Sequence, residues 1–171
     1  MVEAIGVDVV SLAVASVALV VSIMAFVHSL WAWRRSFRPI VTAMVRTVAS
    51  GNQSTAYELV LLNSGSIPAR DITLCVQDQS ALEAALGDPQ SHERQFFLAC
   101  FKPGCVIAIL QNGADVRCSF GYTGVTGGFW KHEAVLPIDI NYRGWFGTQY
   151  VESQVLHIVD STSFTGGYWS D

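Results

Sequence analysis

No GxSxG, HExxH, Walker or paired-carboxylate signature occurs in these 171 residues. That excludes the short motifs of serine hydrolases, zinc peptidases and P-loop nucleotidases. No CxxC occurs either; Cys100-x4-Cys105 is a weak match to a zinc site, which usually takes two ligands from each short loop. His92, His132 and His157 lack neighbours at ligand or triad spacing, so neither metal nor cofactor is expected. Charge is scarce, with 14% Asp, Glu, Lys and Arg against 51% hydrophobic residues, unusual for a wholly soluble protein. The segment 39–171 holds seven Lys/Arg against twelve Asp/Glu. An acidic body of this kind argues against nucleic-acid binding, which needs basic surface to displace counterions.

The scarcity of charge is concentrated. Val9 to Trp33 contains no Asp, Glu, Lys or Arg across 25 residues, which as a helix measures about 37 Å, enough for a hydrocarbon core of about 30 Å with some tilt. The flank before it carries Glu3 and Asp8 and no basic residue, and the apolar run exceeds the 7–15 residues of a signal-peptide core. An uncleaved transmembrane helix is the expectation. Arg34, Arg35 and Arg38 follow directly, so the positive-inside rule places that end in the cytoplasm, with Trp31 and Trp33 at the headgroup level. The expected organisation is a short extracytoplasmic N-terminus (1–8), the helix (9–33), a basic juxtamembrane segment (34–38), a cytoplasmic domain (39–160) and a tail (161–171). In a reducing cytoplasm the cysteines are free thiols. Cys75 and Cys100 lie in apolar strand-like runs, where small buried hydrophobes are expected.

Small residues in the helix are ordered. Ser11, Ala15, Ala18, Ser22, Ala25, Ser29 and Ala32 recur at alternating spacings of four and three, and hold seven of the nine Ala/Ser positions in the span. This is the heptad period, which keeps one face toward a neighbour. Lipid removes the hydrophobic drive for helix association, so a smooth Ala/Ser face that permits close backbone approach is a packing seam. Val14, Val17, Leu19, Val21, Ile23 and Phe26 are left for lipid. The partner helix is a second copy or another subunit. His28 snorkels toward the nearby interface rather than relaying protons, and Asp8 is a wet terminal residue.

Beyond Pro39 the chain reads as strands with turn punctuation. Ile72, Leu74 and Val76 share one face, and Ile138, Ile140 and Tyr142 alternate with Asp139, Asn141 and Arg143, the period-two signature. "PIVTAMVRTVA" and "AYELVLLNSG" flank a polar turn at 50–54, and Gly144 to Gly147 mark a turn between two further strands. Asn112-Gly113 signals a hairpin between "CVIAIL" and "DVRCSFGY". "FFLACFKPGCVIAIL" is too interrupted for a second span and reads as two buried strands around a turn. Leu82, Ala85 and Leu86 give one short helix within 78–90, with Gly87 closing it and Pro89 preventing continuation. Seven to eight strands make a β-sandwich the leading architecture and a barrel the runner-up.

Arg38-Pro39, "LVLLNSGSIPARDITLCV", "LQNGADVRCSF" and "LPIDINYRGWFGTQYVESQVLHI" together resemble small bacterial single-pass membrane proteins with an N-terminal helix and an immunoglobulin-like sandwich. The resemblance implies a mainly β fold, an immunoglobulin-like antiparallel β-sandwich preceded by one transmembrane helix. It implies no activity.

In "FGYTGVTGGFWKH" the glycines lack the spacing and following helix of a dinucleotide loop. Phe129 and Trp130 either roof the sandwich, the favoured reading, or stand as candidate partner contacts. Tyr168 and Trp169 in the tail pose the same choice. The functional expectation is a non-enzymatic, membrane-anchored accessory or scaffold subunit, contacting the bilayer, another membrane helix and a cytoplasmic protein. The alternative is a homo-oligomeric effector or channel-like protein whose sandwich controls assembly or senses a ligand.

Overall fold

The alternation at Ala134–Arg143 appears directly in the computed structural model, which describes residues 2–145 and 147–159, with the side chains of 2–10 and 34–36 left aside. Leu136, Ile138, Ile140 and Tyr142 are buried while their neighbours face outward, because successive strand residues point to opposite sides of a sheet. The element order is α1 (Val2–Ser36), β1 (Val41–Ser50), β2 (Ser54–Asn63), β3 (Ala69–Val76), α2 (Gln79–Ala85), α3 (Ser91–Phe97), a 3-10 turn (Ala99–Phe101), β4 (Ile107–Leu110), β5 (Asp115–Gly124), β6 (Ala134–Arg143) and β7 (Gln149–Ile158). The chain divides into two units at the Arg38–Pro39 boundary.

The first unit is α1. Its stretch Ser11–Trp33 has a mean hydropathy of 2.2 and is long and apolar enough to cross a membrane. The helix runs past the charge-free block at both ends.

The second unit is a mainly β domain of two antiparallel sheets. One has the order β1-β2-β5 and the other β4-β3-β6-β7. A single apolar cluster joins them, with Leu59, Leu61 and Phe120 from the first sheet against Ile72, Ile138, Ile140 and Leu156 from the second. This is a β-sandwich. Each sheet exposes a row of apolar side chains that only the other can cover.

Several expectations need correction. The first half of "FFLACFKPGCVIAIL" is not a strand: α3 ends at Phe97 and a 3-10 turn follows. The helix starts upstream of the apolar run, at a capping box in which the Glu93 carboxylate accepts from the Gln90 N–H at 2.8 Å. A short apolar run has no period of its own to distinguish strand from helix. The excursion therefore contains two helices, separated near Pro89. Asp78 caps the first, accepting from Ser80 N–H at 2.8 Å.

Asn112-Gly113 does turn the chain, with Gly113 at φ +72°, but it makes no hairpin. β4 pairs with β3 and β5 with β2, so this turn carries the chain from one sheet to the other. Local hairpins form where expected at β1–β2 and β6–β7.

Candidate functional site

On α1, all seven seam residues from Ser11 to Ala32 are exposed, and so are the bulky residues opposite. The Ser22 hydroxyl donates to the Ala18 carbonyl one turn back at 2.8 Å. A hydroxyl satisfied within its own helix can face lipid or a close neighbour without an unpaired group. At Ser22 the seam thus offers smoothness rather than an exposed hydrogen-bond donor. Trp31 and Trp33 are about half exposed; the Trp33 ring lies 5.2 Å from Phe37 and that of Trp31 6.2 Å from His28. Arg38 is exposed, whereas the side chains of Arg34 and Arg35, and all of Tyr168 and Trp169, lie outside the described residues.

Phe129 and Trp130 are not partner contacts but core. They are 0% and 1% exposed. The Trp130 ring stands 4.9 Å from Phe120 and 4.8 Å from Phe129, the Phe97 ring lies 5.0 Å from Phe129, and the Trp130 indole N–H donates to the Phe120 carbonyl. Glycines permit this. A Cβ on Gly121, which sits at φ +94°, would lie 2.6 Å from the Phe129 ring, and one on Gly87 would lie 2.2 Å from the Gly128 carbonyl oxygen. Gly87 therefore allows two backbones to meet rather than closing α2. Its N–H donates to the Phe129 carbonyl at 2.9 Å, which joins the helical excursion to the loop before β6.

Cys75 is exposed on the outer face of β3, contrary to the expectation of burial, because the register that buries Ile72 and Leu74 turns residue 75 outward. Cys100 is half-buried in the 3-10 turn. A hydrogen bond with the Cys118 thiol and partial burial push its thiol well up from the usual cysteine range. The same hydrogen bond lowers the Cys118 thiol. Among the described residues no group of three or more His, Cys, Asp or Glu is placed to hold a metal.

At the end of the sandwich where the chain enters, polar residues converge. Asn63 is fully buried. Its amide donates to the carbonyls of Ile67 and Leu110 at 2.9 and 3.1 Å, and its side-chain oxygen accepts from Ile40 and Gly65 N–H at 3.2 and 3.0 Å. One side chain thus ties together the first residues after α1, the β2–β3 connection and the end of β4. Pro39 is buried beside it, and its carbonyl accepts from the Tyr142 hydroxyl at 3.2 Å.

A cleft of about 540 Å³ opens on β3, β6 and β7, lined by Asp71, Thr73, Asn141, Arg143, Gln149 and Tyr150 among others. Asp71 adopts φ +51° where the β3–β6 register shifts, and its carboxylate lies 3.5 Å from the Arg143 guanidinium. A bulge re-aims a side chain in this way. The cleft can hold a small polar or anionic group; it presents no nucleophile held by a base.

The pattern of one family, described as a domain of unknown function (DUF8453), matches residues 5–161. The chain belongs to that family. The match runs through the apolar helix and all seven strands. No curated protein matches the chain.

Proposed function

We propose that this member of the DUF8453 family is a non-enzymatic, single-pass membrane-anchored accessory or scaffold subunit. Its N-terminus lies outside and its sandwich in the cytoplasm. The helix packs along the Ser11–Ala32 seam against a partner helix, and the sandwich, read as immunoglobulin-like, contacts a protein partner. One observation carries this reading: an apolar helix of membrane-spanning length, uncovered along its whole seam, belongs to the same family unit as a closed sandwich. Arg34, Arg35 and Arg38 support the orientation, since basic residues flanking a span are retained on the cytoplasmic side. The strand order supports the immunoglobulin-like reading, with its three-stranded and four-stranded sheets.

The test is crosslinking in native membrane. Single cysteines replace Ser22 on the seam and Val20 on the opposite face, in a chain whose four native cysteines are changed to serine, and adducts are identified by mass. The expected outcome is crosslinking from position 22 and little from 20, to a different protein. Adducts made only of this chain would favour the homo-oligomeric effector instead. Equal crosslinking from both positions would remove the seam as a packing face.

A further inference from the structure

Two arginines meet at the end of the sandwich where the chain arrives from α1. Arg70 on β3 and Arg143 on β6 are direct register partners, and both are exposed. Like charges placed opposite each other on neighbouring strands repel. The adjacent carboxylate, Asp71, pairs with Arg143 at 3.5 Å. Arg70 lies instead over the ring of Trp145, 4.4 Å from its centroid. Trp145 is 54% exposed in the β6–β7 turn, where Gly144 N–H donates to the Thr148 carbonyl at 2.8 Å and Gly147 takes φ +75°. A tight turn thus holds an indole outward with a guanidinium on its face, and Arg143, two residues before the indole, lines the polar cleft.

With α1 read as a membrane span, chain length limits how far this turn can lie from the bilayer. A Cβ on Gly144 would lie 3.5 Å from Pro39 Cδ, so the turn is next to the point where the chain enters. Only Phe37 and Arg38 separate the end of α1 from Pro39. Three helical rises from Trp33 to Ser36 and three extended steps beyond confine Pro39 to about 15 Å from Trp33. If Trp33 lies at the headgroup level, Pro39 and its neighbours have no room to leave the membrane surface far behind.

We propose that the β6–β7 turn is a lipid-contact site, in which Trp145 seats among the headgroups of an anionic leaflet and the neighbouring Arg70 and Arg143 bind lipid phosphates. The proposal rests on the reading of α1 as a membrane span with the sandwich on the cytoplasmic side. Three properties favour lipid as the occupant. Indole is amphipathic and concentrates at the interface. Arginine matches phosphate with its planar fork of donors. The tether keeps the local membrane concentration high, so a weak contact is still populated. Docking here would give the sandwich a fixed orientation instead of a free swing about Phe37 and Arg38.

The experiment uses the full chain in vesicles of phosphatidylcholine with or without phosphatidylserine, containing lipid that carries a nitroxide near the headgroup. The emission of Trp145 is the difference between the native chain and Trp145→Phe. Trp31 and Trp33 remain in that variant as internal reporters of insertion. The expected result is quenching of the Trp145 component by labelled lipid and protection from aqueous acrylamide, stronger with phosphatidylserine. Arg70→Gln and Arg143→Gln should each weaken this contact about fivefold at low salt. Added inorganic phosphate at millimolar concentration should leave the quenching in place.

A Trp145 component open to acrylamide and untouched by labelled lipid, with the helix tryptophans quenched, would overturn the proposal alone. Absence of lipid quenching from the helix tryptophans too would overturn the membrane reading on which it rests. Lipid quenching that is indifferent to both arginine variants and to phosphatidylserine would overturn the phosphate contacts. Because Trp145 is more than half exposed, Trp145→Phe should keep the native near-ultraviolet dichroism and melting temperature.

Discussion

At the scale of single residues, Asn63 shows how one polar side chain can hold a sandwich end together. Burying an amide costs stability unless its donors and acceptor are matched, and here both N–H groups and the oxygen are engaged. Replacing it with alanine leaves the Ile67 and Leu110 carbonyls and the Ile40 and Gly65 N–H groups without that partner. Asn63→Ala should lose roughly 2–4 kcal/mol. The exposed Ser64→Ala beside it should stay within about 0.5 kcal/mol. Thermal unfolding of the full chain in mild detergent, followed by near-ultraviolet dichroism, separates the two; equal melting temperatures would contradict the role given to Asn63. The same scale explains Phe129 and Trp130. Glycines at 87, 121 and 128 let backbone and rings approach closely enough to bury both aromatics. Nothing local to the aromatic pair states how close those glycines come.

At the scale of elements, β6 and β7 were readable because their pairing is local and their apolar residues keep period two. Ile138, Ile140 and Tyr142 are inward as the pattern requires. The Phe96 run was not readable, since its helical character comes from the capping box upstream. The helix α1 is the element with the sharpest consequence. If Ala18 faces another helix, leucine there overfills a close contact and costs about 1–3 kcal/mol, which shifts an assembly equilibrium by about five- to 150-fold. Val20→Leu, on the opposite side of the helix, should be nearly silent because lipid accepts either side chain. Recovery of the complex from mild detergent, with expression matched, reads the difference. Identical behaviour of the two variants would reduce α1 to an anchor.

At the scale of the whole molecule, the arrangement is one apolar helix and one sandwich meeting at Arg38–Pro39. Orientation is then a property of the flanks. Glu3 and Asp8 stand on one side and Arg34, Arg35 and Arg38 on the other, so a reporter fused after Asp171 should be active only as a cytoplasmic fusion. Activity of an export-dependent reporter at that position would reverse the topology. Exchanging the three arginines for glutamines should weaken the bias, read with the same pair of reporters.

By itself, the sequence determined what depends on neighbours along the chain: the apolar helix, its Ala/Ser seam, the period-two strands and the two local hairpins. Composition and spacing are sufficient there because helix and hairpin form within a few residues of their own signals. Tertiary structure alone decided which strands share a sheet. Asn112-Gly113 marks a reversal of direction, but no turn signal says whether the next strand joins the same sheet or the facing one. Long-range pairing placed β3 between β4 and β6, turned Cys75 outward, closed Asn63 among three segments and set Arg70 opposite Arg143. Those positions are distant in sequence, and only the burial of both sheet faces against each other brings them together.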